Sequence, residues 1–247
     1  MRVPVTLMVL TLLVLLAAGV VVRASEVKDI DNVSVRQRLA QGIIRWKTKG
    51  SVVVWNECGK RYKQEEVKEV AYAWTDSLIE SIDKHENLNG WRLNVWGVAG
   101  TAANESSFDR CAIGKHTRFW AYDKGLLKPR KRTWISHSRE DILRLVRTKE
   151  WKKEWNWVDA GGLQVLWKRV WKGPLEDMLT LNPGLDIGVK EMYRRSMHFY
   201  KNNTIPELAK RSWRLWPGKG LKHPRSDKYD AKITRLARKL GATSEEI

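Results

Sequence analysis

Strand-like alternation is nearly absent from this sequence of 247 residues, and neither an internal repeat nor a heptad array is present. These absences exclude a β-sandwich, a β-barrel, a solenoid and a coiled coil, and they leave a mainly α domain. Cysteine occurs twice and histidine five times, and the histidines (85, 116, 137, 198 and 223) are scattered. No Cys/His spacing resembles a zinc site, so no metal and no cofactor is expected. Phenylalanine is scarce, with 3 residues, whereas tryptophan is abundant, with 14. Acidic residues are too few to balance the basic ones: 28 against 46, a formal net charge of +18. That excess points to a polyanionic partner: nucleic acid, an anionic membrane or an anionic cell-wall polymer. Indole beside Lys and Arg makes a common surface for sugars, anions or headgroups. The hydrophobic content of 43% is enough for one sizeable core.

The first residues narrow the partner. Met1-Arg2 precedes an apolar run from Val3 to Val22, followed by Arg23-Ala24-Ser25-Glu26. Residues 1–24 read as a secretory signal cut after Ala24 or as a retained signal anchor, because the run is long for the first and just long enough for the second. Either way the remainder is expected to be exported to the periplasm or cell envelope, which argues against nucleic acid. Residues 25–60 are read as an N-terminal segment, 61–241 as the main domain and 242–247 as a frayed tail. Cys58 and Cys111 form a disulfide in an oxidising compartment or remain two buried thiols.

Helical spacing is clear over Val33–Trp46, Gln64–His85, Asp186–Tyr200 and Asp227–Leu240, with shorter helices at Ser138, Pro174–Leu181 and Pro206–Ser212. Asn87–Gly90 reads as a turn, Cys111–Arg132 as a basic loop that is either solvated or one wall of an anion-binding groove, and Asn182-Pro183-Gly184 as a helix stop. Trp151-Lys152-Lys153-Glu154-Trp155-Asn156-Trp157 is either a substrate-facing flap or core with a charged rim.

The most unusual stretch runs from Val95 to Asp109. Trp91, Val95, Val98, Ala99, Ala102 and Ser106 recur at spacings of three and four, so a helix packs one face tightly here. Ala99, Gly100, Ala102 and Ala103 let neighbouring backbone come close. Glu105 emerges near the C-terminal end of that helix, where burial and the negative end of the macrodipole favour a protonated carboxyl. Such a group suits a general acid; the plainer reading is a solvated residue at a helix end. In Asp159–Trp167, paired glycines precede Gln164, a hydrogen-bonding handle beside an apolar run.

Glu105-Ser106-Ser107-Phe108-Asp109 resembles the first motif of the soluble-lytic and goose-lysozyme-like lytic transglycosylases. Gly161-Gly162-Leu163-Gln164 resembles their second motif, Asn182–Val189 the segment before the next helix, and Tyr229 the site tyrosine of the last helix. The Ala-Tyr-Asn-Ala-Gly segment of that family is missing, and Trp213–Gly218 is read in its place. The resemblance implies a lysozyme-like helical domain with long loops lining a substrate groove. It implies a peptidoglycan lytic transglycosylase, a lyase in which Glu105 alone serves as acid and then base, closing a 1,6-anhydro ring on the muramyl product. It assigns Ser106 to orienting the glutamate or the sugar, Gly162 and Gln164 to an N-acetyl group, and Tyr229 to orienting Glu105. Trp213 and Trp216 are expected to stack under sugars or to pack in the core. No second carboxylate for a conventional glycosidase stands out, Asp109, Asp123, Glu140 and Asp159 included. A hydrolytic muramidase, a non-catalytic membrane-tethered wall-binding module and a membrane-active basic protein remain the other readings.

Overall fold

The computed structural model describes residues 33–128, 136–155, 157–199, 212–216 and 224–247. The expected signal or anchor, residues 206–211 of the expected Pro206–Ser212 helix and residues 129–132 of the expected basic loop lie outside the described residues. Among the described residues no helix is long and apolar enough to cross a membrane. The architecture is mainly α.

Helix α1 covers residues 33–47 and leads into two short hairpins: β1 (Thr48–Lys49) with β2 (Val52–Val53), and β3 (Asn56–Glu57) with β4 (Lys60–Arg61). Helix α2 (Gln64–Asn89) comes next. Its helical path continues through the expected turn and stops only at Gly90, whose φ of 73° closes the end. Helix α3 (Val95–Glu105) starts at Asn94, whose side chain accepts a hydrogen bond from the Gly97 N–H. Every residue from Trp96 to Ala103 is buried. The absence of a side chain at Gly97 is required by packing: a Cβ there would lie 2.0 Å from the Trp213 ring.

The basic stretch expected to be loop contains a helix, α4 (Lys115–Asp123). Its Thr117 and Ala121 are buried at a spacing of four, a signal hidden among cations. Helix α5 (Arg139–Leu145) begins as expected, with Ser138 accepting from the Asp141 N–H. Helix α6 (Lys149–Glu154) buries Trp151. The glycine segment forms an antiparallel hairpin, β5 (Val158–Ala160) with β6 (Val165–Trp167), joined by Gly161–Gln164. Helices α7 (Leu175–Met178) and α8 (Leu181–Phe199) come after it. Asn182-Pro183-Gly184, expected to stop a helix, forms the first turn of α8 instead. Proline is tolerated there because the first-turn N–H groups have no helical partner in any case. A 3-10 turn (Ser212–Leu215) and helix α9 (Pro224–Leu240) complete the described chain.

Two helix pairs carry the core: α2 against α8, and α3 against α9. The N-terminal segment joins that same core through Leu39, Ile43, Val53 and Trp55. The tail expected to fray is tied down. Arg38 donates to Glu246 at 2.9 Å, and Asn94 Nδ2 donates to the Glu246 carbonyl at 2.5 Å. The Arg38 guanidinium holds the Glu246 carboxyl down at a pKa of about 2.

Candidate active site

Glu105 is the last residue of α3, and the turn beyond it is strained. Ser107 and Phe108 both have φ of 55°. Two successive left-handed non-glycine residues cost roughly 1–2 kcal/mol each. Their surroundings hold them there. Phe108 is fully buried, edge-on to Trp74 with ring centroids 5.4 Å apart. The Trp55 indole donates to the Phe108 carbonyl at 3.0 Å. Lys47 donates to the Ser107 carbonyl and, at 3.1 Å, to Ser107 Oγ. The turn carries the chain to Asp109 and the disulfide between Cys58 and Cys111. That bridge joins the strand-rich segment before α2 to the segment just after Glu105.

Beneath this turn lies a group of buried charges. The Glu57 carboxylate accepts from Tyr62 Oη at 2.6 Å and from Trp74 Nε1 at 3.1 Å. Asp109 Oδ1 accepts from the Cys58 and Cys111 N–H groups at 3.0 and 2.9 Å. Burial pushes the Asp109 carboxyl up to about 6, against the pull of those hydrogen bonds. Burial brings the Lys47 amine down to about 8, with Asp109 and Glu57 opposing that change. Cys58, Asp109 and Cys111 also form the only grouping of metal-ligand types among the described residues, but both sulfurs are in the disulfide.

Glu105 opens into a pocket of about 940 Å³. The volume falls within the range of small-ligand sites. Its lining includes Trp46, Lys47 and Lys49 from the N-terminal segment and Ile113 to Lys115 with Arg118 from the start of α4. The β5–β6 hairpin adds Asp159, Gln164 and Leu166, and later parts of the chain add Arg195, Trp216 and Tyr229. Tyr229 Oη donates to Glu105 Oε1 at 2.6 Å, and Asn104 Nδ2 donates to the same oxygen at 2.9 Å. Burial and the neighbouring Glu105 charge raise the Tyr229 hydroxyl well above its ordinary pKa, so it remains a donor at neutral pH. Arg195 lies 4.4 Å from the Trp216 ring centroid and pairs with Glu191 at 2.7 Å.

The pocket therefore gathers Glu105, Gln164, Trp216 and Tyr229 from distant parts of the chain. It treats other expected residues differently. Ser106 lines the pocket, but its hydroxyl donates to the Ala102 carbonyl at 3.0 Å and accepts from the Asp109 N–H at 3.4 Å, so it shapes the turn. Gly162 is buried under Trp74, where a Cβ would lie 2.6 Å from the ring, and its reason is packing. Trp213 is buried in the core, donates to Asp230 at 2.7 Å and takes no part in the pocket lining. Gln164 spends its amide N–H groups on the Ala112 and Gly161 carbonyls, at 2.9 and 3.0 Å.

Sequence reasoning named Asp159 among the candidate carboxylates and set it aside, yet it lines the pocket. Its carboxyl is raised by burial and by the Glu105 charge, with Arg195 and His116 pulling the other way. Glu105, Asp109 and Asp159 all line the pocket. The signal was available: Val158, Ala160 and Val165 are buried, while Asp159 and Leu166 point to the other face, a period of two. The sequence reading of Cys111–Arg132 offered one wall of an anion-binding groove, and Lys115 and Arg118 of that stretch do line the pocket; Lys49 beside them was not anticipated. Lys49, Lys115 and Arg118 have no carboxylate partner among the described residues, whereas Arg36, Lys60, Lys84, Arg92 and Arg144 elsewhere are paired.

Comparison with protein-family models, curated proteins and solved structures gives no match to this chain. Function must therefore be argued from this chain's own residues and the site they form.

Proposed function

We propose that this chain is an exported cell-wall enzyme that cleaves the MurNAc–GlcNAc bond of peptidoglycan, acting as a lytic transglycosylase through Glu105. The observation that carries the reading is the Tyr229–Glu105 hydrogen bond within a cation-lined pocket. The residues of four short motifs that resemble the soluble-lytic and goose-lysozyme-like enzymes support it, as does the mainly α framework. A lysozyme-like groove is part of the proposal, as is residence in the periplasm or cell envelope.

In this mechanism Glu105 gives its proton to the glycosidic oxygen as the bond to the muramyl C1 breaks. The acetamido group of the substrate stabilises the developing cation. The Glu105 carboxylate then takes the proton of the C6 hydroxyl as that oxygen closes on C1, leaving a 1,6-anhydromuramyl end. Tyr229 and Asn104 fix the carboxylate through one oxygen, which leaves Oε2 for the proton transfers. Cations on the pocket walls suit lactyl and peptide carboxylates.

Asp159 favours a second reading, hydrolysis, in which it activates a water opposite Glu105. One digestion separates the two. Glu105→Gln should fold and lose roughly 10²- to 10⁴-fold in wall cleavage; full activity in that variant overturns the assignment. Mass spectrometry of the released muropeptides should show ends one water lighter than hydrolysed ends. Ordinary reducing ends, lost in Asp159→Asn, would instead establish the muramidase.

A further inference from the structure

The β5–β6 hairpin leads out of the pocket onto a second surface. Asp159 and Leu166 are paired across the hairpin and both line the pocket. Trp157 precedes Asp159 by two positions, just before β5 begins at Val158. Trp157 is half-buried but lies outside the set of hydrophobic residues packed against the core. Its neighbours are Trp155, with ring centroids 5.3 Å apart, and the Arg169 guanidinium, 4.8 Å from its ring. Trp155 in turn meets Trp120 at 6.2 Å. Trp120 belongs to α4, the helix whose Lys115 and Arg118 line the pocket. Two separate elements, a hairpin and a helix, thus run from the pocket to the same aromatic ledge. Arg169 has no carboxylate partner among the described residues.

We propose that this ledge, Trp157 and Arg169 with Trp155 and Trp120 behind them, binds the continuation of an anionic glycan strand beyond the bond being cleaved. The inference rests on the transglycosylase reading of Glu105 and deepens it. The chemistry comes from the parts. An indole face accepts the C–H face of a sugar ring, and a guanidinium stacked on it retains its donors for a carboxylate on that sugar. The Trp157 indole packs on Trp155 and Arg169 rather than in the core. The unpaired cations at both ends of the path favour a carboxylate-bearing strand over neutral chitin.

The test uses full-length protein carrying Glu105→Gln, so that strands bind without being cut. Its affinity is measured by calorimetry for a tetrasaccharide and an octasaccharide of alternating GlcNAc and MurNAc with peptide stems. The octasaccharide should bind more tightly. Trp157→Ala and Arg169→Gln should each weaken the octasaccharide by about three- to tenfold and leave the tetrasaccharide unchanged. Equal weakening at both lengths, or no weakening, overturns the ledge. So does a Trp157→Ala variant that keeps its glycan affinity but loses binding to phosphatidylglycerol vesicles, which would mark a membrane surface. The underlying reading fails separately. If Glu105→Gln cleaves wall normally while the octasaccharide still depends on Trp157, the catalytic assignment falls and the ledge stands. If neither glycan binds, both fall.

Discussion

Replacing Tyr229 by phenylalanine removes one oxygen and keeps the ring, so it isolates the hydrogen bond to Glu105. That bond is 2.6 Å long and runs from a buried hydroxyl to a carboxylate. A hydrogen bond to a charged group contributes about 1.5–3 kcal/mol, which in a transition state amounts to roughly 10- to 100-fold in rate. Asn104 still donates to the same oxygen at 2.9 Å, so the carboxylate is not abandoned and the fold should persist. Turnover of purified peptidoglycan by Tyr229→Phe should therefore drop by about 10- to 100-fold, mostly in kcat, with the unfolding temperature little changed. The decisive comparison is the double variant. If Tyr229 acts by positioning Glu105, then Tyr229→Phe added to Glu105→Gln should cost less than about threefold more, because residues acting as a unit are non-additive. A full second loss in the Glu105→Gln background would refute the reasoning and assign Tyr229 a separate role. An unchanged rate in the single variant would refute it as well.

Gly97→Ala should destabilise the protein, since a Cβ 2.0 Å from Trp213 exceeds what the core can absorb; overpacking costs about 1–3 kcal/mol against about 1 kcal/mol gained in helix propensity, and urea unfolding measures the difference. Asp109 has a folded pKa of about 6 against 3.8 for the free side chain, so the native state binds the extra proton. The resulting contribution, about 3 kcal/mol, is full below about pH 4 and lost as the pH rises to about 6. Asp109→Asn should remove that component of the pH dependence in unfolding titrations, and an unchanged slope would refute it. The Cys58–Cys111 bridge closes a loop with a sequence separation of 53, for which chain entropy gives about 4 kcal/mol. Reductant, or Cys58→Ser with Cys111→Ser, should lower the thermal midpoint, and coincident melting curves would contradict this.

Much of the site's position was legible in the chain. The helix ending at Glu105 announces itself by small residues at helical spacing, and Ser138 by its capping pattern. What misled was local chemistry read without its surroundings. Lys115–Asp123 carries so many polar residues that its two buried positions do not stand out, yet it is a helix. Asn182-Pro183-Gly184 reads as a stop because proline ends helices, but the same proline is at home in a first turn. Trp213 and Trp216 look alike in sequence; one lies in the core against Gly97 and the other lines the pocket beneath Arg195.

The sequence by itself determined the helical class, the excess of positive charge and the acid at the end of a tight helix, because periodicity and composition are local properties. Tertiary structure decided the company that acid keeps. Glu105 and Tyr229 are 124 residues apart, and they meet because α9 packs on α3 where glycine and alanine leave room. Asp159 reaches the same pocket on a hairpin whose register sets every second side chain toward it. Distance along the chain carries no information about such meetings; they depend on which faces must be buried together.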